Sequence, residues 1–71
     1  MITEQELGKR IKKARKAIGI SQKQLAEKAY ISKGTLSYYE QGRTCPPALT
    51  LLSLCEVLNV NPNVMLKWNG K

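Results

Sequence analysis

The sequence predicts an all-α domain built from five helices. Apolar residues recur every three or four positions through most of the chain, which is the spacing that places them on one face of a helix. Serine, threonine or asparagine stands just before four of these stretches, in the position that caps a helix N-terminus. With 71 residues the chain is long enough for one small core, so we expect a single domain over residues 1–71.

The first helix is predicted over residues 3–18. Thr3 and Glu6 have the spacing of a capping box, and Gly19 is typical of the residue that follows a helix end. Its predicted buried stripe consists of Leu7, Ile11, Ala14 and Ile18. The lysines of the opposite face are Lys9, Lys12, Lys13 and Lys16. We interpret that face as solvated rather than phosphate-binding, because nothing else in the helix requires contact with a nucleic acid.

The second helix is predicted over residues 22–29. Ser21 is a favourable N-cap, and Gln24 three residues later completes a capping box. The narrow apolar face of this helix consists of Leu25, Ala26 and Ala29. Because so short a helix is not stable alone, it must pack on its neighbours.

The third helix is predicted over residues 33–41, with Ser32 as its N-cap and Gly42 as its stop. Lys33 lies at its N-terminal end, and a face opposite Leu36 carries polar groups. That face consists of Gly34, Ser37, Tyr38 and Gln41. A cation, a hydroxyl, a phenol and an amide, with no long aliphatic side chain, suit base edges and phosphates.

Two further helices are predicted in the C-terminal third. One covers residues 48–58 after the stiff pair Pro46 and Pro47. The other is short and begins at Pro62, with Asn61 as its N-cap. The core stripe of the longer helix consists of Leu51, Leu54, Cys55 and Leu58.

The composition of the chain favours some classes of protein function and argues against others. The formal net charge is +7, and a basic domain favours polyanions through counterion release, although the same charge could simply keep a small protein in solution. The chain has no histidine and only two cysteines, Cys45 and Cys55, so we expect neither a metal site nor a disulfide scaffold. Catalytic pairings are missing too, so we expect no catalytic residue, no enzyme, no cofactor and no small-molecule ligand.

Targeting signals are also missing from the sequence. No apolar run approaches the roughly 18 residues of a membrane span, and the N-terminus lacks the apolar region of a secretion signal. We therefore expect a cytoplasmic protein without a membrane partner.

The two helices between residues 21 and 42, with the elements spaced around them, resemble the helix-turn-helix of the phage-repressor class, the Cro/C1 or XRE-like family. The residues that carry the resemblance are Arg15, Ser21, Gln22, Leu25, Ala26, Ile31, Ser32, Leu36, Glu40, Gly42, Pro46 and Pro47. The resemblance implies a lambda-repressor-like DNA-binding domain with its helix-turn-helix at residues 21–41. It also implies a sequence-specific transcriptional regulator, a repressor from a phage or mobile element, with recognition helix 33–41 in the major groove of double-stranded DNA.

The resemblance implies roles for individual residues. The residues in base-contacting positions are Lys33, Gly34, Ser37 and Tyr38. Those in phosphate-contacting positions are Gln22, Ser32, Thr35, Arg43 and Thr44. Arg15 and Glu40 would form an ion pair that joins the first helix to the recognition helix. The family usually has glycine where this chain has Tyr30, so this turn either stores about 1 kcal/mol of backbone strain or is rearranged.

In the family, the C-terminal end of this fold commonly makes the dimer contact. The apolar residues that exceed the needs of a small core, and that we assign to such an interface, are Leu49, Leu52, Met65 and Trp68. A homodimer would place two recognition helices roughly 34 Å apart and would predict a palindromic operator. The alternative is that Trp68 only caps the core of a monomer.

Other functions remain open at this point. The same fold could serve as the antitoxin of a toxin–antitoxin pair or as the controller of a restriction system. A protein of another class, an interaction adaptor, would dock an acidic partner on the first helix and would bind DNA without sequence preference. Alanine at Lys33 and Tyr38 would leave the function of such an adaptor intact.

Overall fold

Five α-helices form the part of the chain that this computed structural model describes, residues 2–67. They are α1 (Glu4–Ala17), α2 (Gln22–Lys28), α3 (Lys33–Gln41), α4 (Ala48–Leu58) and α5 (Pro62–Met65). The predicted all-α architecture is confirmed, and the predicted helix ends differ from the observed ones by one residue at most. No helix within residues 2–67 combines the length and the apolar character that a membrane crossing requires.

Side chains cap the N-termini of α1, α2, α3 and α5. The Ser21 hydroxyl accepts a hydrogen bond from the Gln24 N–H at 3.1 Å, and the Gln24 side chain accepts one from the Ser21 N–H at 2.9 Å, so this capping box is complete. At α1 only half of the predicted box forms. The Glu6 N–H donates to the Thr3 hydroxyl, but the Glu6 carboxylate accepts from that hydroxyl instead of from the Thr3 N–H. The other capping side chains are Ser32 and Asn61.

The first four helices end in the same way. A residue with positive φ follows each of them, and two backbone N–H groups close back onto helical carbonyls, the arrangement called a Schellman motif. At the end of α3, the Gly42 N–H donates to the Tyr39 carbonyl at 3.1 Å. The Arg43 N–H donates to the Tyr38 carbonyl at 3.0 Å. The four residues with positive φ are Gly19, Tyr30, Gly42 and Asn59.

Tyr30 is unusual in this position because its side chain disfavours the left-handed region. Its φ is 60°, and its side chain is 94% exposed. Of the two alternatives for this turn, the strained backbone is therefore the one that forms. A left-handed residue other than glycine costs roughly 1–2 kcal/mol, and so exposed a ring has few contacts to offset that cost.

Tyr30→Asn is expected to raise the free energy of unfolding by about 0.5–1 kcal/mol, because asparagine tolerates the left-handed region better than tyrosine. Asn59→Tyr, at the equivalent position after α4, is the matched reciprocal variant and should lower the free energy of unfolding by a similar amount. Urea unfolding followed by circular dichroism measures both differences. Lower stability of Tyr30→Asn would show that ring contacts outweigh the backbone strain.

The core lies between the five helices. Its largest fully buried side chains are Ile11, Leu25, Leu36, Leu54 and Cys55. The whole predicted stripe of α4 is buried, as are Leu7 and Ile11 of α1. The prediction that Ile18 is buried is wrong: its side chain is 47% exposed, because α1 ends at Ala17 and Ile18 is the C-cap residue, beyond the regular helix.

Gly8 allows the backbones of α1 and α3 to approach closely. A Cβ atom at Gly8 would lie 2.3 Å from the carbonyl oxygen of Tyr39 and 2.8 Å from that of Glu40. Both distances are below 3.0 Å, closer than a Cβ atom approaches a neighbouring heavy atom in folded proteins. Gly8 therefore sets the distance between α1 and the helix that carries the candidate site.

Candidate nucleic-acid interface

The predicted ion pair between Arg15 and Glu40 is present and buried. Arg15 Nε donates to Glu40 Oε2 at 2.8 Å, and Arg15 Nη2 donates to Glu40 Oε1 at 3.2 Å, which is a bidentate arrangement. The two side chains are 11% and 2% exposed. Arg15 Nη1 donates to the Ile20 carbonyl at 2.9 Å, so the guanidinium also holds the chain that leaves α1. These bonds join α1 to α3 and set the orientation of α3.

Gln22 extends this network to α2. Its side-chain Nε2 donates to Glu40 Oε1 at 3.0 Å, a contact that the sequence did not predict. Gln22 was predicted to contact a phosphate, and a side-chain amide has two N–H donors. One donor is now bound to Glu40, and the other is left for a phosphate. A single carboxylate thus connects the first three helices.

The residues in base-contacting positions lie together on the outer face of α3. Lys33, Gly34 and Tyr38 are exposed there, and Ser37 is half-buried. Gly34 leaves its stretch of backbone uncovered: apart from the adjacent residues and the backbone of α3 itself, the nearest heavy atom within residues 2–67 to a Cβ at this position would be the Ser32 hydroxyl oxygen at 4.0 Å. These four residues form what we call the outer face of α3.

One side chain of the outer face of α3 is already engaged. The Ser37 hydroxyl accepts a hydrogen bond from the Gln41 amide at 2.7 Å. Lys33 and Tyr38 form no ion pair or side-chain hydrogen bond within residues 2–67, so both are available to a ligand.

The residues predicted to contact phosphates flank this face. The Ser32 hydroxyl accepts from the Thr35 N–H at 3.0 Å and donates to the Thr35 hydroxyl at 2.8 Å. Ser32 is therefore used in capping, and the Thr35 hydroxyl keeps its own hydrogen for an acceptor. Arg43 and Thr44 are exposed just beyond the C-terminus of α3.

Arg43 stacks on Tyr38. The guanidinium carbon lies 5.4 Å from the centroid of the tyrosine ring, within the range of a cation–π contact. The sequence predicted a contact with DNA for each of these residues and no contact between them.

The electrostatics of this region favour an anionic ligand. Glu40 is the only acidic residue between positions 28 and 55, and its side chain is buried and paired with Arg15. Lys33 and Arg43, in contrast, lie exposed at the two ends of α3. The outer face of α3 is thus flanked by cations and free of exposed carboxylates, which suits phosphates and base edges.

The apolar residues predicted for a dimer interface fall into three groups. Leu49 and Leu52 of α4 are 79% and 49% exposed, so they are available for an interface. The assignment of Met65 is wrong: its side chain is 3% exposed and belongs to the core, where α5 packs on α1 and α4. Trp68 lies outside the described residues.

The pKa of each cysteine thiol is raised above its ordinary value. Partial desolvation raises the pKa of the exposed Cys45 thiol, and the carboxylate of Glu4 raises that pKa further. Burial raises the pKa of the Cys55 thiol. Both thiols therefore remain protonated and weakly nucleophilic at neutral pH. Within residues 2–67, no three histidine, cysteine or acidic side chains meet to hold a metal ion.

Comparisons with known proteins agree with this geometry. A family model described as helix-turn-helix matches residues 11–65. The HTH-type transcriptional regulator ImmR of Bacillus subtilis (strain 168) is 43% identical over 60 residues, which are 84% of this chain and 47% of that protein. The chain thus spans about half the length of this curated relative.

Solved structures share the fold over most of their length. The N-terminal DNA-binding domain of SinR from Bacillus subtilis superposes with a TM-score of 0.79 at 35% identity, covering 92% of this chain and 96% of that one. The P22 c2 repressor protein in complex with a synthetic operator gives a TM-score of 0.81 at 33% identity, covering 86% and 92%. The predicted repressor-like fold is confirmed by these similarities.

Proposed function

The chain belongs to the helix-turn-helix family whose model matches its residues 11–65, and on that premise we propose that it is a transcriptional regulator that binds double-stranded DNA in a sequence-specific way. We propose that it acts as a repressor of phage or mobile-element type in the cytoplasm and that it has no enzymatic activity. The relatives support this proposal, because one is a transcriptional regulator and another is a repressor solved with an operator.

The observation that carries the proposal is the buried network around Glu40. It removes the only carboxylate of α3 from the surface and holds α2 and α3 at a fixed angle. In this arrangement α3 enters the major groove, its N-terminal half meets base edges, and α2 crosses the phosphate backbone. Lys33 can donate to guanine O6 or N7, while Gln22, Thr35, Arg43 and Thr44 donate to phosphates and set the register.

Selection of bound sequences from random duplex DNA tests the proposal. At about 150 mM salt, non-specific binding is weak, so recovered sequences report base readout. We expect a palindrome whose half-sites lie one turn apart. A single half-site would keep the DNA-binding function and contradict the dimer. No enrichment would overturn the proposed function in favour of an adaptor that docks an acidic partner on α1.

A homodimer is part of this proposal, and Leu49 and Leu52 support it. They lie three residues apart on α4, so they share one face, and both are exposed. An exposed apolar patch of this kind can bury itself against its copy in a two-fold dimer. Controllers of restriction systems and antitoxins with this fold would use the same DNA-binding face, and gene neighbourhood distinguishes them from phage repressors.

Leu52→Glu is expected to convert the dimer to a monomer and to weaken binding to a palindromic duplex at least tenfold, because a charge would be buried in the interface. Binding to a duplex with one half-site should change little. Ile18→Glu is the matched control, since Ile18 is 47% exposed and Leu52 is 49% exposed. Analytical ultracentrifugation with and without DNA measures both effects. A Leu52→Glu protein that still dimerises would place the interface elsewhere.

A further inference from the structure

We propose that Arg43 is a positioning residue for Tyr38, and that the two act as one unit that recognises the 5-methyl group of thymine in the major groove. The inference rests on the proposed DNA-binding function. To the proposed DNA binding it adds the chemical group that is recognised, the 5-methyl group of thymine. It also adds how Tyr38, the side chain that contacts this group, is held in place by Arg43.

The turn that ends α3 places the two residues together. The positive φ of Gly42 turns the chain, and the Arg43 N–H donates to the Tyr38 carbonyl at 3.0 Å. In a Schellman motif, the residues in these two positions commonly make a hydrophobic side-chain contact. Here a cation–π contact takes its place, with the guanidinium carbon 5.4 Å from the ring centroid. The stack is therefore built on a fixed backbone connection.

Nothing in the described structure competes for either side chain. Neither of the two ion pairs within residues 2–67 includes Arg43, and Tyr38 forms no side-chain hydrogen bond in that range. An exposed cation–π contact favours the stacked position of the ring roughly two- to fivefold over other positions. The free protein thus already holds Tyr38 close to one orientation, which reduces the ordering required when DNA binds.

The surroundings of the ring favour an apolar group of DNA. Ser37 and Gln41 are hydrogen-bonded to each other at 2.7 Å, and Lys33 is a cation, so the Tyr38 ring is the one large apolar group on the outer face of α3. Gly34, one turn before Tyr38 on the same face, leaves open space beside it. In the major groove, the 5-methyl group of thymine is the apolar feature that such a side chain contacts.

The test replaces each thymine of the selected duplex in turn with deoxyuridine, which lacks only the 5-methyl group. The wild-type protein is expected to bind about fourfold more weakly when one particular thymine of the half-site is replaced, the effect of one buried methyl group. Arg43→Gln should reduce this thymine-to-uracil ratio to nearly one. Arg43→Lys keeps a cation over the ring and should retain most of the ratio.

The control variant Lys9→Gln removes one charge from the solvated face of α1, so it should change the affinity for both duplexes equally, through net charge alone, and leave the ratio unchanged. An Arg43 that only binds a phosphate would behave in the same way, so an unchanged ratio in Arg43→Gln would overturn the inference. The absence of any thymine whose methyl group matters would also overturn it. Failure to select any duplex would contradict the proposed function itself, and this inference with it.

Discussion

Gly8→Ala is expected to lower the free energy of unfolding by about 3 kcal/mol, even though alanine is normally the better helix residue. The added Cβ would lie 2.3 Å and 2.8 Å from two carbonyl oxygens of α3, and these are backbone atoms that no rotamer change can move. The two helices must therefore separate, which opens the core between them. A domain of this size has a total stability of about 4–10 kcal/mol, so the loss is a large share of it.

Gly34→Ala is the matched control for this prediction. It makes the same substitution in α3, where, beyond the adjacent residues and the backbone of α3 itself, a Cβ atom would meet no heavy atom of residues 2–67 nearer than the Ser32 hydroxyl oxygen at 4.0 Å. Stability should then rise by up to about 1 kcal/mol, the helix preference of alanine over glycine. Urea unfolding midpoints of the two variants measure the contrast. Equal effects of the two substitutions would show that α1 and α3 are not in close backbone contact.

Glu40→Ala is expected to cost about 3–5 kcal/mol of stability, because it leaves a buried charge without its partner. The Arg15 side chain is 11% exposed, and two of its donors lose their acceptor when Glu40 is removed. Gln22 loses its bond to α3 at the same time. The angle between α2 and α3 is then no longer fixed, so DNA affinity should fall together with stability.

The double variant Arg15→Met with Glu40→Leu separates the cost of an unpaired buried charge from the contribution of the ion pair itself. Removing both charges leaves no buried ion unpaired, so the double variant should be much more stable than Glu40→Ala alone. A double-mutant cycle in urea, with the single variants measured beside it, gives the coupling energy. A cost below about 1 kcal/mol for Glu40→Ala would indicate an ordinary surface ion pair and would contradict the buried network.

The helices could be predicted from the sequence because their ends depend on local signals. Ser21 and Ser32 bond N–H groups within their own first turn, and Gly42 ends α3 through its own φ. Such interactions involve residues within a few positions of each other, so they are visible in the sequence. The positive φ of Tyr30, in contrast, is predicted by the resemblance, because the family usually has glycine at this position.

Contacts between distant residues could not be predicted in this way. Gly8 is an unremarkable glycine in the sequence, and its role follows only from the approach of α3. Arg10 is one of several basic residues of α1 in the sequence, yet its Nη1 donates to the carbonyls of Met65 and Lys67 at 2.9 Å each and holds the C-terminal end of α5. Met65 was assigned to an interface because periodicity alone does not tell which apolar residue of so short a helix faces the core.

In the candidate site too, the residues on one helix face could be predicted from the sequence pattern, whereas two side-chain contacts could not. The outer face of α3 could be predicted because its members share one helical period. The resemblance to the phage-repressor class supplied the pair of Arg15 and Glu40, which lie 25 positions apart. Neither periodicity nor resemblance indicated that Gln22 joins this pair, or that Arg43 covers the ring of Tyr38. Both contacts depend on side-chain positions that only the folded arrangement defines.

Whether the outer face of α3 reads base pairs is tested most directly by changing one residue on it and repeating the selection from random duplex DNA. Gly34→Gln places a side chain into open space, and glutamine bonds adenine through N6 and N7. Selections with the wild type and with this variant, both at about 150 mM salt, should return the same sequence except at one position of each half-site, where adenine becomes enriched. Two identical sequences would contradict base recognition by α3.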